Sequence, residues 1–356
     1  MPPAPPLNFA CIQSNSAYMQ TLVCSTPGSF AWENREKPAS KKGHAIIRIK
    51  RIGICGTDLH AFQGTQPFFS YPRVLGHELS GILEEVNPAT GFAAGEAVTF
   101  IPYLNCGTCI ACRRGKPNCC AKINVCGVHI DGGMTEYFQV PEYALIHGQG
   151  LGFDSLALVE PLAIGAHGVR RAAVEKDEFV LVIGAGPIGL GTMELARIAG
   201  AQVIAMDISE SRLEFCRKQL GIQHTIVAGK PESVQQLADI TGGDMATVVI
   251  DATGNLRAIN EGIHYLAHGG RYVLIGLQKE AFSFSHPEFH KRESTLMSSR
   301  NATREDFDLV IDSIRKGRIK PENYITHRTK FEQVPAVFES WLNPATGVIK
   351  AMIELD

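Results

Sequence analysis

No run of about 18 consecutive apolar residues occurs anywhere in these 356 residues, so the sequence offers no candidate membrane-spanning helix. Neither sign of charge is in excess. The 34 Lys and Arg against 36 Asp and Glu leave a formal net charge of −2, which withholds the basic footprint that nucleic-acid binding needs. Charged residues make up only 20% of the chain against 45% apolar, which excludes a chain too polar to bury a core. Met1–Tyr18 contains no Lys or Arg and no long apolar stretch, so it does not read as a secretory signal. With four prolines it is expected to be a flexible extension, and Met19 an alternative start. What the chain does have is 35 Gly and 19 Pro, which suit many turns and close backbone approaches, and ten Cys, five of them between Cys106 and Cys120. In a long chain without a signal, a reducing cytoplasmic setting is expected, and clustered cysteines there bind metal or do chemistry more often than they form a disulfide framework.

The length suits two domains. From Gln20 to about Gly150, short apolar runs such as Ala45–Ile49 and Ala97–Ile101 alternate with Gly, Pro and Asn turns, the pattern of a β-rich barrel or sandwich. From about Asp154 the pattern changes. Strand-like runs at Phe179–Ile183, Val203–Met206, Thr247–Ile250 and Tyr272–Ile275 alternate with helical stretches at Pro187–Ala199, Glu210–Leu220, Pro231–Thr241 and Leu256–Ala267. That alternation predicts a doubly wound parallel sheet, giving an α/β protein overall. A further helix is expected over Arg304–Lys316.

The strand Phe179–Ile183 runs into Gly184-Ala-Gly-Pro-Ile-Gly189. Gly184 permits the tight turn, Gly186 lets a pyrophosphate approach the backbone, and Gly189 lets the following helix pack closely. Pro187 and Ile188 open that helix, Pro187 at a position where a missing N–H costs nothing, and the free N–H groups of its first turn suit phosphates. The next strand ends at Asp207, about 20 residues on, where an acid binds ribose hydroxyls. A carboxylate there repels a 2′-phosphate and favours NAD over NADP; Arg212, nearby, would soften that preference.

Cys106-x2-Cys109-x2-Cys112-x7-Cys120 can close a tetrahedral thiolate shell with no open position, a structural zinc site, with Cys119 as the alternative to Cys120 by a one-residue slip. A second set is dispersed: Cys55 in Gly53–His60, His77-Glu78, and Glu160 in Glu160-Pro-Leu162. A catalytic zinc needs three protein ligands and one open position, but spacing alone does not assemble these residues into one site.

Taken in order, Gly53–His60, Tyr71-Pro-Arg-Val-Leu-Gly-His-Glu78, the four-cysteine lobe, Asp131-Gly-Gly-Met-Thr-Glu-Tyr137, Glu160-Pro-Leu162 and Gly184–Gly189 resemble the zinc-dependent alcohol and polyol dehydrogenases of the medium-chain dehydrogenase/reductase superfamily. The resemblance implies a GroES-like catalytic domain from residues 19–153 and 302–356 and an NAD-binding Rossmann domain from residues 154–301. It implies two zinc ions per chain and a homodimer or homotetramer formed through the sheet edge near Tyr272–Leu277. Cys55, His77 and Glu160 would hold the catalytic zinc, and Glu78 would be an acid behind it that in some members swaps onto the metal. Hydride would pass from a secondary alcohol to NAD while Thr57 and His60 relay the proton outward, a task suited to histidine.

For the substrate, Arg73 and the tract Ser283–Arg304, with Arg300 and Asn301, suggest a carboxylate, because Arg binds carboxylates in a bidentate fork. The stretches Val128-His-Ile-Asp-Gly-Gly133 and Ser298-Ser-Arg-Asn301 resemble bacterial sugar-acid dehydrogenases of the L-gulonate and L-galactonate type. A small-molecule hexonate oxidised to a keto acid is therefore the expectation, against a neutral polyol or L-threonine. The reading from another class is a cofactor-binding protein without turnover, and the intact set Cys55, His77, Glu160, Thr57 and His60 weighs against it.

Overall fold

A computed structural model describes residues 17–67 and 69–356. The longest strand of the first half, His44–Ile54, buries Ala45, Ile46, Ile47, Ile49, Ile52 and Ile54. It is the spine of a seven-stranded sheet. Glu78–Glu85 lies antiparallel on one side, followed by Ala97–Phe100 and Leu145–His147. On the other side the chain's last strand, Lys350–Glu354, pairs antiparallel with it and carries Ile325–Lys330 beyond. The C-terminal end of the chain therefore completes the sheet begun by the N-terminal half. A separate three-stranded sheet takes Ser29–Glu36, Tyr18–Thr26 and Arg73–Val74. Tyr18, placed at the end of the expected extension, already belongs to a strand; residues 1–16 lie outside the described residues.

The middle of the chain forms a six-stranded, wholly parallel sheet in the order His224–Val227, Gln202–Asp207, Phe179–Ile183, Ala246–Asp251, Leu266–Leu274, Thr295–Ser298. Phe179–Ile183 is a continuous apolar run because both faces of a central parallel strand are covered. Val180 and Val182 join the core that holds Ala163, Leu190 and Phe307, whereas Leu181 and Ile183 face Ile204, Met206 and Leu237 on the opposite side. Each such fully buried side chain contributes about 1.5–3 kcal/mol.

Two expectations are corrected here. The helix expected over Leu256–Ala267 ends at Glu261, tightens into a 3-10 turn over Gly262–Tyr265, and gives way to the strand Leu266–Leu274. A side chain at Gly262 would lie 2.1 Å from the Tyr272 hydroxyl, so the chain is pinned against its own next strand at that point. The outermost strand of this sheet is Thr295–Ser298, so the sheet edge is not at Tyr272–Leu277.

The two sheets are joined by the helix Val159–Arg171, which carries Glu160 and packs on the helix Pro187–Ile198. The backbones come close: a Cβ on Gly165 would sit 2.8 Å from the Thr192 nitrogen. Glu194 on the second helix also accepts a hydrogen bond from the buried Tyr324 hydroxyl, a second tie between the two halves. No helix among the described residues is long and apolar enough to cross a membrane.

Candidate active site and metal centres

The short helix Gly56–Phe62 begins at Cys55, and its third residue, Asp58, organises the site. One Asp58 oxygen accepts from the Cys55 N–H at 3.0 Å and the other from the Gly76 N–H at 3.0 Å. A single buried carboxylate thus fixes its own helix start, which presents Cys55, to a segment 18 residues further on, which presents His77. Gly76 has φ +94, and a Cβ there would press on Ile52 and Met134, so the approach to His77 requires glycine.

Cys55, His77 and Glu78 bring their donor atoms within 4.8 Å of one another. His77 is fully buried, and its Nδ1 has no hydrogen-bond partner. Burial opposes a charged His77 imidazole, yet Asp58 and Cys55, with Glu160 beyond them, raise its pKa well above the usual histidine value. A pocket that draws a proton onto a buried imidazole is one that calls for positive charge, and Cys, His and carboxylate donors are a zinc set. The residues therefore fit the metal.

The two acids are held differently. Both oxygens of Glu78 lie 2.6 Å from Lys350 Nζ, which also donates to the Ile54 carbonyl at 3.1 Å. Glu160 accepts a hydrogen bond from the Tyr103 hydroxyl, and burial pushes its carboxyl up to about 7. The oxygens gathered with Cys55 and His77 are those of Glu78, while Glu160 stands just outside that set, near enough to act on His77. Asp58, Tyr103 and Lys350 escaped the sequence reading. Asp58 alone left a signal, as the acid three residues after the helix-capping position.

Thr57 and His60 sit three residues apart on one face of the same helix. Thr57 is half-buried and His60 is exposed, with its Nδ1 3.3 Å from the Thr65 hydroxyl. The pair spans from the interior to solvent.

In the cysteine lobe, Sγ–Sγ separations are 3.5 Å for Cys106–Cys120 and for Cys109–Cys112, and 3.9 Å for Cys109–Cys120. These are far longer than a disulfide. They match the edge of about 3.8 Å that a tetrahedron with Zn–S bonds of about 2.3 Å requires. Backbone N–H and hydroxyl groups of Thr108 lower the Cys106 thiol to about 5, whereas burial raises that of Cys120. Cys119 is exposed and lies outside this set, whereas Cys120 lies within it.

The dinucleotide turn has the expected form. Gly184 has φ +100, and a Cβ on Gly189 would lie 1.8 Å from the Gly184 oxygen. Around Gly186, at the start of the helix Pro187–Ile198 that Pro187 and Ile188 open, there is open space. Asp207 ends its strand and accepts from Ala185 N–H at 2.6 Å and Ser209 N–H at 2.8 Å. Arg212 turns toward the other half of the molecule, where it donates to the Val348 carbonyl, and its Nη1 is buried without a partner.

Of the expected substrate residues, Arg73 lies near Asp131 (3.5 Å) and donates to Ser70 at 3.0 Å, leaving its Nε buried and unpartnered. Among the described residues the exposed Arg300 guanidinium has no acidic partner, while its backbone carbonyl accepts from Asn118 at 3.0 Å. Asn301, at φ +54, donates its amide to the Asn118 carbonyl at 3.1 Å. It braces the cysteine lobe against the end of the parallel sheet through one of its two amide protons. His286, His290 and Lys291 sit on the helix His286–Lys291, where no residue is buried.

Two family models match the chain, the alcohol dehydrogenase GroES-like domain over residues 41–149 and the zinc-binding dehydrogenase over residues 187–316. The chain is 44% identical to the L-galactonate-5-dehydrogenase of Escherichia coli K12 over 336 residues, covering 94% of this chain and 98% of that one. It is 32% identical to a probable D-xylulose reductase A of Aspergillus clavatus over 319 residues, 86% of this chain and 89% of the other. Among solved structures it resembles the rspB alcohol dehydrogenase of E. coli CFT073, complexed with NADH, at TM-score 0.88 and 30% identity, covering 96% of this chain and all of that one. The chain belongs to the zinc-dependent alcohol dehydrogenase family of the medium-chain dehydrogenase/reductase superfamily and is an oxidoreductase of that class.

Proposed function

We propose that this protein oxidises a secondary hydroxyl of a six-carbon sugar acid, such as L-galactonate or L-gulonate, to the keto acid with NAD as hydride acceptor. The observation that carries this reading is the 44% identity to L-galactonate-5-dehydrogenase along nearly its whole length. The unpaired Arg300 supports it, because a guanidinium without an acidic partner is free for a substrate carboxylate.

In this reading Cys55, His77 and one of the two carboxylates, Glu160 or Glu78, hold a catalytic zinc, and Cys106, Cys109, Cys112 and Cys120 hold a structural one. Zinc, when bound, supplies Lewis acidity that eases deprotonation of an alcohol. Tyr103 and Lys350 hold the two acids in place. NAD, when bound, would supply the acceptor for the carbinol hydrogen and its bonding pair, and Thr57 and His60 would pass the hydroxyl proton to solvent. Gly184 makes the tight turn, Gly189 lets the helix pack closely, and Gly186 leaves room for the pyrophosphate, to which the helix opened by Pro187 and Ile188 would offer N–H groups, while Asp207 would accept from the ribose hydroxyls. A cytoplasmic homodimer or homotetramer completes the proposal.

The test is NADH formation with L-galactonate, L-gulonate, D-gluconate, sorbitol and L-threonine, with NADP run in parallel. Oxidation of a hexonate with NAD is the expected result. The similarity to a D-xylulose reductase favours a neutral polyol as the second reading, and activity confined to sorbitol would establish it in place of the first. Replacing His60 with Ala should slow turnover most at low pH; an equal loss at every pH removes the relay.

A further inference from the structure

The loop between Val125 and Met134 packs directly against the approach to His77. Gly132 N–H donates to the Val74 carbonyl at 2.8 Å, Gly133 N–H to the Gly76 carbonyl at 2.9 Å and Met134 N–H to the Leu75 carbonyl at 2.9 Å. A Cβ on Gly127 would lie 2.9 Å from the Gly76 nitrogen. At its other end the loop continues from Val125, which pairs across a two-stranded ribbon with Tyr103, the residue that hydrogen-bonds Glu160. The loop is thus clamped between the His77 side and the Glu160 side of the metal cluster, and His129 is at its turn.

The orientation of His129 is fixed by its own turn. The Val125 N–H donates to its Nδ1 at 3.1 Å, so Nδ1 is an acceptor and the ring proton sits on Nε2. The ring is half-buried, and Nε2 has no partner among the described residues. Burial, together with the nearby positive charges of Arg300 and Arg73, lowers its pKa below the usual histidine value, so the ring stays neutral with that tautomer. Among the described residues Arg300 has no acidic partner, and Arg73, 3.5 Å from Asp131, keeps a buried, unpartnered Nε. Arg300 and Arg73 therefore act on the His129 ring from close by, and of the two only Arg73 shares an acid, Asp131.

We infer that His129 determines specificity by donating its Nε2–H to the terminal carboxylate of the substrate, with the Arg300 guanidinium supplying the charge. This rests on the sugar-acid reading above and deepens it by naming the group that recognises the acid end. A phosphate ester presents the same anionic chemistry. The carboxylate is favoured because a single guanidinium without an acidic partner balances one negative charge, where a phosphate ester carries nearly two.

The experiment compares wild type, His129→Phe and His129→Gln, each checked for zinc content and circular dichroism. Substrates are L-galactonate, L-gulonate, sorbitol and galactitol 1-phosphate. L-Galactonate binding to the enzyme–NADH complex is measured by calorimetry, independently of turnover. His129→Phe should raise KM and Kd for the hexonate about 10- to 100-fold, the effect of losing one hydrogen bond to a charged group, with kcat within twofold. Sorbitol KM should not change, and His129→Gln, which keeps an amide N–H at similar reach, should recover most of the loss. If wild type oxidises the hexonate but His129→Phe matches it, or weakens hexonate and sorbitol alike, the inference fails and the sugar-acid reading stands. If wild type oxidises only neutral polyols, that reading fails and takes the inference with it. A His129-dependent preference for galactitol 1-phosphate over both hexonates overturns the carboxylate assignment.

Discussion

Lys350 Nζ sits 2.6 Å from each oxygen of Glu78, in a pocket where both side chains are essentially excluded from solvent. Lys350 lies at the start of the last strand, 272 residues after Glu78. The chain's final segment thus reaches back to neutralise an acid beside the metal cluster. Two buried charges are tolerated because each compensates the other and the Ile54 carbonyl takes a further ammonium proton.

Removing one partner should therefore cost much more than removing both. Lys350→Met is expected to destabilise the protein by about 3–5 kcal/mol, since it strands the Glu78 carboxylate in the interior. Lys350→Met combined with Glu78→Gln should recover at least half of that loss. Denaturant unfolding of the wild type, both single variants and the double variant checks the coupling. Additive losses would show that the pair is not energetically linked.

The cysteine lobe makes a stoichiometric prediction. Wild type should hold two zinc ions per chain. Cys109→Ser should hold one, because a three-thiolate lobe no longer closes a tetrahedral shell. Cys119→Ser should still hold two, since its thiol is exposed and apart from the cluster. Metal analysis after exhaustive dialysis separates these outcomes, and loss of zinc from Cys119→Ser would place the fourth ligand one residue earlier.

The proposed NAD preference makes a prediction at Asp207. Its carboxylate closes the strand beside the glycine turn and receives the Ala185 N–H, so a 2′-phosphate at that position would meet negative charge. Asp207→Ser should raise KM for NAD about 10-fold, the loss of one or two hydrogen bonds to a charged group, and narrow the preference over NADP. Arg212 is not expected to compensate in full, because it is engaged with the Val348 carbonyl. Steady-state kinetics with both cofactors tests this.

Much of this architecture was legible in the sequence because its signals are local. Phe179–Ile183 and Glu210–Leu220 occur as expected, since an unbroken apolar run before a glycine turn and a helix opened by Ser209 and closed by Gly221 carry their own boundaries. The four-residue strands His224–Val227 and Thr295–Ser298 left too short a pattern, and their place is set by neighbours in the parallel sheet. The same division holds at the site. Cys106, Cys109, Cys112 and Cys120 announce themselves by spacing. The pairing of Lys350 with Glu78 joins residues whose proximity only the closed sheet creates, and a lone Lys in an apolar final strand gives no hint of its partner. Asn301 makes a contact of the same kind: its amide donates to the backbone carbonyl of Asn118, a partner that no local pattern encodes.

That contact belongs to a buried network which gives the pH prediction. Asp306 accepts hydrogen bonds from His167 Nδ1 at 2.8 Å, from Arg170 Nε at 2.8 Å and from the Thr303 N–H at 2.8 Å, and Asn118 meets the far side of His167 at 3.1 Å. Burial alone would raise the Asp306 carboxyl, but the bonds from His167 and Arg170 outweigh it and hold the group well below the usual carboxylate range. A depressed folded-state pKa contributes stability above the unfolded value, about 3.9, and that contribution is lost as pH falls through the folded value. Asp306→Asn, which has no carboxylate to protonate, should unfold roughly 3 °C or more below wild type at pH 7. The gap should narrow steadily as the pH drops below about 4. Thermal unfolding of both proteins from pH 7 to pH 3, with reversibility verified at each pH, checks this. A gap that stays constant across the range would mean that the Asp306 charge does not stabilise the junction between the helices Val159–Arg171 and Arg304–Arg315.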